Sequence, residues 1–250
     1  MQAIREHVVR IAKENATWGY VRIQGELRKH GHEVAASTIA KVLQDHGVPP
    51  SPGRPTNWRT FLKAHAGSIA AMDFFTAEVW TKRGLVTHYV LFVIHHASRL
   101  VEIAGVTEHP DADFMAQVAR NLTGVDATLR DRRYLILDRD TKFTAQFRRI
   151  LDDAGVQVVR TAFQAPNMNA IAERFVPAIK REGLERPIPF GAGDLRGGAQ
   201  EFVAHYRIER PHQGLGNRVL TASASGAPMD GEVVVDERLG GLLRSYRRVA

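Results

Sequence analysis

The chain of 250 residues is 44% hydrophobic and 24% charged, which is ordinary for a globular protein with one large domain or a core and a small module. No apolar run approaches the roughly 18–20 residues of a membrane-spanning helix, and the N-terminus lacks the apolar segment of a signal peptide. The absence of cysteine excludes disulfide bonds, thiolate zinc sites and a cysteine nucleophile, and it is compatible with a cytoplasmic protein that has no membrane partner.

The net charge of +7 is concentrated near the N-terminus. Residues 1–65 hold ten lysines and arginines against five acids, so they contribute +5 of the total. Such a local excess is typical of a surface that binds a polyanion, although a solvated basic surface would have the same composition.

Two short helices are predicted before residue 48. The first lies in "GYVRIQGELRKHG", where Ile23 and Leu27 are four residues apart and Gly31 ends the pattern. The second lies in "STIAKVLQDHG", with Ser37 as the expected N-cap and a glycine after the last turn. A short turn between two helices on a basic surface favours a DNA-binding helix-turn-helix with residues 37–46 as recognition helix. A helical hairpin that only packs is the alternative.

A proline-rich segment divides the chain. The sequence "VPPSPGRPTNW" contains four prolines and no periodic pattern, so it predicts a semi-rigid linker. We expect a helix-turn-helix module at 1–47, a linker at 48–66, an α/β domain at 67–219 and a basic appendage at 220–250.

Beyond the linker, three β-rich segments are followed by alternating helices and strands. The β-rich segments are "SIAAMDFF", "HYVLFVIHH" and "LVEIAGVT", and the two gaps between them are short enough for hairpins. A helix, "YLILD", a second helix, "VQVVRT" and two further helices complete the order. This order predicts an α/β fold with a mixed five-stranded sheet flanked by helices.

Three acids lie at the ends of these predicted elements. Asp73 and Asp138 each end a strand pattern, and Glu173 lies near the start of a helix that Asn169 is placed to cap. Three carboxylates form an all-oxygen site of the kind that Mg²⁺ or Mn²⁺ prefers. Because the chain has 27 acidic residues, such a triple also arises by chance, and its sequence context has to decide.

The context resembles bacterial insertion-sequence transposases whose catalytic domain is of the retroviral-integrase type. The resemblance covers most of the chain, from about residue 18 to residue 220. The matching words are "WGYVRIQGEL", "STIAKVLQDHGV", "DFFT", "LDRDTKF", "QAPNMNAIAERF" with "IKRE", and "HYRIERPHQGL".

The resemblance implies an RNase H-like integrase core in which Asp73, Asp138 and Glu173 are catalytic and bind two Mg²⁺ (or Mn²⁺) ions. The 34 residues between Asp138 and Glu173 are close to the family's usual spacing. The family's basic residue seven positions after the glutamate is Lys180 here, and Asn169, Glu173 and Lys180 are spaced to share one helix face. The candidate DNA-contacting residues are Lys180, Asn169 and Arg181 in the core and Arg22, Arg28 and Lys41 in the helix-turn-helix.

Two aspartates compete for the metal in "YLILDRDTKF". Asp138 directly follows the predicted strand and has the right interval to Glu173, so we assign it the metal. Asp140 falls two residues further on, where a turn is expected.

The activity implied is cleavage of transposon ends and joining of their 3′-OH to target DNA, with a homo-multimer on the DNA. A DNA-binding copy without catalysis and an RNase H-like nuclease without strand transfer are the alternatives. A tyrosine recombinase would need a nucleophilic tyrosine within a cluster of arginine and histidine. Tyr206, between His205 and Arg207, is the feature that favours this alternative. Pro177 departs from the family's pattern, because a proline four residues after Glu173 removes a helical hydrogen bond to its carbonyl and predicts a kink.

Overall fold

A computed structural model describes residues 2–49, 58–161, 169–184, 188–221 and 230–249. The chain divides into two compact units, residues 1–65 and residues 66–250. No helix within the described ranges has the length and apolar character needed to span a membrane.

The first unit contains three helices that share one small core. They are α1 (Gln2–Glu14), α2 (Tyr20–Lys29) and α3 (Ala36–Asp45). Their apolar side chains form a single buried cluster, in which Ile23, Leu27, Ile39 and Leu43 are fully buried. The two predicted helices are confirmed, whereas α1 was not predicted, although its buried Val8, Ile11 and Ala12 fall on one helical stripe.

The predicted cap of α3 is wrong. The helix begins at Ala36, its N-cap is Ala35, and no side chain caps it, so Ser37 lies inside the first turn. A serine marks only an approximate helix start, because neighbouring alanines are good helix formers and extend the helix.

A further helix, α4 (Trp58–His65), occupies part of the segment expected to be a linker. The proline-rich stretch before it, residues 50–57, lies outside the described residues.

The second unit is built on a five-stranded sheet with the strand order β3-β2-β1-β4-β5. Strand β2 runs antiparallel to its two neighbours β1 and β3, while β4 and β5 run parallel to β1. The strands are β1 (Ile69–Thr81), β2 (Gly84–His95), β3 (Val101–Thr107), β4 (Tyr134–Leu137) and β5 (Gln157–Arg160). The predicted mixed five-stranded sheet is therefore confirmed.

Helices cover both faces of this sheet. They are α5 (Ala112–Thr123), α6 (Ala145–Asp153), α7 (Ala170–Ile179) and α8 (Gly191–Ile208). On one face, Met72, Leu91 and Leu135 pack in a buried cluster with residues of α5 and α6. On the other face, the ring of Phe92 lies 4.7 Å from that of Phe175 on α7. Since Leu91 and Phe92 are adjacent in β2, they point to opposite faces and place the two helix pairs on opposite sides.

Strand β1 is longer than predicted, so Asp73 does not end it. The strand continues to Thr81 because β2 pairs with it along its whole length, through a two-residue turn between Thr81 and Gly84. Its parallel neighbour β4 pairs with it only as far as Ala71. Asp73 therefore lies in mid-strand, just beyond the point where β4 stops pairing.

A C-terminal hairpin, β6 (Glu232–Arg238) and β7 (Leu243–Val249), packs against α8. Arg238 joins it to the helix through ion pairs of 2.9 Å with Glu201 and 2.7 Å with Glu209. Glu209 also bonds to the buried His205 at 2.8 Å. This histidine is thus part of a structural network at the end of α8.

Candidate active site

The register of the parallel strands brings two of the predicted acids together. The last β1–β4 pair is Ala71 with Ile136, and both acids lie two residues further on, Asp73 in β1 and Asp138 directly after β4. Residues in register on parallel strands are neighbours, about 5 Å apart, and share one face. Side chains two residues apart on a strand point to the same face, so both acids share the face of Ala71 and Ile136. This is the face covered by α7, the helix that carries Glu173.

Asp73 lies in a negative and partly desolvated environment. Its Oδ1 accepts a hydrogen bond of 2.7 Å from the N–H of Phe74. Burial raises the pKa of Asp73 to about 6, although the Phe74 N–H lowers it, and the charges of Asp138, Glu173 and Asp140 raise it further. The charges of three other acids thus act on Asp73.

The two aspartates of "LDRD" make different contacts. Asp138 Oδ1 accepts a bond of 3.0 Å from the N–H of Asp140, which forms a tight turn. Asp140 in turn accepts 2.9 Å and 2.6 Å bonds from the backbone N–H and the Nζ of Lys142. Burial raises the pKa of Asp140, but the bonds and the charge of Lys142 outweigh it and hold the pKa below its usual value.

Lys142 was not among the predicted site residues. Its Nζ lies 5.6 Å from the ring centre of Phe74 and 5.2 Å from that of Tyr89, in addition to its bond with Asp140. These contacts hold the only lysine of the "DRDTK" word beside the acids. Its sequence signal was its place two residues after Asp140.

Glu173 is an exposed residue in the first turn of α7. Asn169 is the N-cap residue, but its side chain makes no capping bond, contrary to the expected cap. Asn169 is only 5% exposed, and its Oδ1 has no hydrogen-bond partner among the residues that the structure describes. Its contact with DNA stays a prediction, and the structure places the side chain inward.

Pro177 lies inside α7 without ending it. The N–H of Lys180 donates to the carbonyls of Val176 and Pro177, and a π-helical turn, Lys180–Leu184, continues the chain. π turns are often found at functional positions of helices. Lys180 is half-buried at the start of this turn and Arg181 is exposed next to it.

The three basic candidates of the first unit are exposed on its second and third helices. Arg22 and Arg28 lie on α2, and Lys41 lies on α3. The guanidinium of Arg22 stacks 4.5 Å above the ring of Trp18. The helix-turn-helix function of this unit stays a prediction.

The donor set at the sheet edge fits a divalent cation by its chemistry. Asp73, Asp138 and Glu173 offer only carboxylate oxygens. Burial is the main cause of the raised pKa of Asp73, and the charges of the other two acids contribute to it. In the described parts of the chain, however, no three Asp, Glu or His side chains are arranged closely enough to hold one ion.

Comparisons with known proteins agree on one class. The integrase core domain family matches residues 154–219. InsD, the transposase assigned to insertion element IS2E in Escherichia coli (strain K12), is 40% identical over 76 residues, which are 30% of this chain and 33% of the relative. The aligned part thus spans about one third of that relative's length.

The catalytic core domain of BIV integrase is a structural neighbour at 16% identity and a TM-score of 0.44, with 62% of this chain and 91% of the integrase chain covered. The family match and the transposase relative confirm the resemblance predicted from the sequence words, to insertion-sequence transposases with an integrase-type core.

Proposed function

We propose that the chain is a DNA transposase that cuts transposon ends and joins their 3′-OH to target DNA. One observation carries the proposal: the β1–β4 register puts Asp73 beside Asp138, on the sheet face where α7 carries Glu173. Burial raises the pKa of Asp73 to about 6, and the negative charges of Asp138 and Glu173 contribute to the rise. Such perturbed acids are typical of catalytic sites.

Asp73, Asp138 and Glu173 would hold two Mg²⁺ or Mn²⁺ ions. When bound, such a pair activates the attacking oxygen and stabilises the leaving oxygen of an in-line displacement. This reaction requires no nucleophile from the protein, since water would attack first and the freed 3′-OH would attack second. Asp73 has to lose its proton before it can act as a ligand, and Lys180, at the start of the π-helical turn that follows α7, would bind a phosphate.

DNA is the proposed partner in two roles, as transposon end and as target. The basic first unit, with Arg22, Arg28 and Lys41 exposed, would hold the ends. Bringing two ends together requires more than one copy of the chain, so we propose a homo-multimer on DNA, acting at the bacterial nucleoid.

The test is cleavage of labelled transposon-end DNA in the presence of Mg²⁺. Asp138→Asn and Glu173→Gln are expected to abolish cleavage while DNA binding persists, because each change removes one carboxylate charge and keeps the side-chain shape. Asp152→Asn, an exposed acid on α6 at the opposite face, is the matched control and should cleave like the wild type. Equal cleavage by the wild type and by both site variants would refute the catalytic assignment.

A second readout separates a transposase from a nuclease. Joining of the cut ends to a target plasmid is expected for the wild type. Cleavage without joining would instead identify an RNase H-like nuclease, and binding without either would identify a DNA-binding protein without catalysis.

A further inference from the structure

A cavity of about 560 Å³ lies between α7, the end of α8 and the turn at residues 211–215. One face of α7 forms part of its wall, through Ile171, Arg174 and Ala178, which are spaced three and four residues apart. Arg181 lines the cavity from the π-helical turn that follows α7. Glu173 and Lys180 are outside this lining.

The cavity wall carries more cations than anions. It contains Arg99, Arg174, Arg181 and Arg210, and one acid, Glu182. Glu182 is already bound by Arg210 through two hydrogen bonds of 2.9 Å and 2.7 Å. Within the described parts of the chain, none of the other three arginines has a carboxylate at ion-pair distance. The wall therefore presents three uncompensated guanidinium groups.

The guanidinium group of Arg99 lies in an unfavourable environment. It is half-buried in the connection between β2 and β3, with a left-handed φ of 60° that side-chain-bearing residues rarely adopt. Burial lowers the pKa of Arg99, and the nearby charge of Arg174 lowers it further, against an opposing effect of Tyr206. A desolvated cation beside a like charge is unfavourable unless an anion joins them. Strained residues of this kind concentrate at ligand-binding positions.

The arginine side chains of the wall indicate which anion the cavity binds. Pockets for small molecules are mostly apolar, whereas arginines dominate this one. Guanidinium groups bind phosphate through paired hydrogen bonds and stay charged at any physiological pH. Resting on the proposed function, we propose that this cavity binds a backbone phosphate of the DNA on which the chain acts.

The first test measures DNA binding by the full chain without divalent metal, so that catalysis plays no part. Arg99→Asn with Arg174→Ala should lower the affinity for a labelled duplex of mixed sequence. The slope of log K against log salt should fall by about 1 for each phosphate that the variant no longer binds. Asparagine is chosen because it tolerates positive φ. Arg149→Ala, an exposed arginine of α6 on the opposite sheet face, is the control and should leave the slope unchanged.

An unchanged slope in the double variant overturns the proposal. If Arg99→Asn shifts the urea unfolding midpoint, the single variant Arg174→Glu is tested in place of the double variant. Arg174 lies on the exposed helix face, and reversal of its charge must still lower the slope of log K against log salt. Loss of inorganic phosphate binding with an unchanged DNA slope also overturns the proposal, because the cavity would then serve a small anion. This binding test does not depend on the cleavage assay. The proposed activity can therefore fail while the cavity is still shown to bind DNA, and the two outcomes can be told apart.

A second test locates the DNA directly. The chain has no cysteine, so Ala178→Cys places a single thiol in the cavity wall. It should cross-link to duplex DNA that carries a disulfide-activated tether on one phosphate, while Arg149→Cys should not. Equal cross-linking at both positions overturns the assignment of the cavity to DNA.

Discussion

Among single side chains, the two acids of "LDRD" show how the fold separates similar residues. Asp138 directly follows β4, two residues beyond the last pair with β1, whereas Asp140 is held in the next turn by Lys142. The interval to Glu173 could be read from the sequence. The bond between Asp140 and Lys142 could not, because it depends on how the turn folds.

Asp140→Asn is therefore expected to be the milder change. The amide oxygen of the new side chain can still accept from the backbone N–H of Lys142, and the ion pair that disappears is partly exposed and worth about 1 kcal/mol or less. We expect the cleavage rate to fall by about 10-fold, the lower end of the roughly 10–100-fold loss seen for residues that support a metal ligand. Rates of end cleavage under single-turnover conditions would measure this. A loss as complete as that of Asp138→Asn would mean that Asp140 itself is a ligand.

The raised pKa of Asp73 predicts a pH-dependent stability. The folded chain holds the Asp73 proton with a pKa of about 6, and an unfolded aspartate has a pKa of about 4. The folded state binds the proton more tightly, so this residue's contribution to stability falls as the pH rises from about 4 to 6. Asp73→Asn does not titrate and can still accept the bond from Phe74.

Relative to the wild type, Asp73→Asn should therefore gain about 1–2 kcal/mol in unfolding free energy between pH 4 and pH 7, after allowance for the partial exposure of the group. Urea unfolding with a chelator at both pH values would measure the difference, in which the titrating groups that do not interact with Asp73 cancel. A difference that does not change with pH would show that Asp73 has an ordinary pKa.

For whole elements, the sequence indicated order and type better than extent. The alternation after residue 100 predicted the succession of helices and strands and a mixed sheet. It did not predict the strand order, because β4 pairs with β1 and not with β3, the strand before it in the sequence. The full length of β1 was missed because its second half is stabilised by β2, through pairs such as Val79 with Val86. Helix α1 was missed although Val8 and Ile11 lie on its buried stripe.

Helix α7 contains Pro177, and we expect the protein to become more stable when this proline is replaced. Proline in a helix interior is unfavourable by about 3 kcal/mol relative to alanine, and the looser unfolded chain of the variant offsets part of this. Because Pro177 is exposed, Pro177→Ala removes no buried side chain and should stabilise the chain by about 1–2 kcal/mol, with end cleavage retained. Urea unfolding and the cleavage assay would measure both. A destabilised variant would show that the π-helical turn at Lys180–Leu184 requires the proline.

At the level of the whole chain, most of the net positive charge lies in the first unit, and the candidate metal ligands lie in the second. Residues 1–65 carry +5 of the net +7, while the three candidate ligands lie between residues 73 and 173. This division was visible in the composition. Whether the first unit binds DNA through α2 and α3 depends on which face of its three-helix core meets the DNA, and composition does not specify a face.

Two sets of alanine substitutions that remove equal charge can identify that face. Arg22, Arg28 and Lys41 are exposed on α2 and α3, and Arg5, Arg10 and Lys13 are exposed on α1. Replacing the first set should weaken binding to transposon-end DNA and reduce the salt slope by up to about 3, since each bound phosphate contributes about 1. The second set changes the net charge equally and should reduce the slope less. Equal slopes for the two sets would show that DNA senses only the overall charge of this unit, and the helix-turn-helix assignment would then be withdrawn.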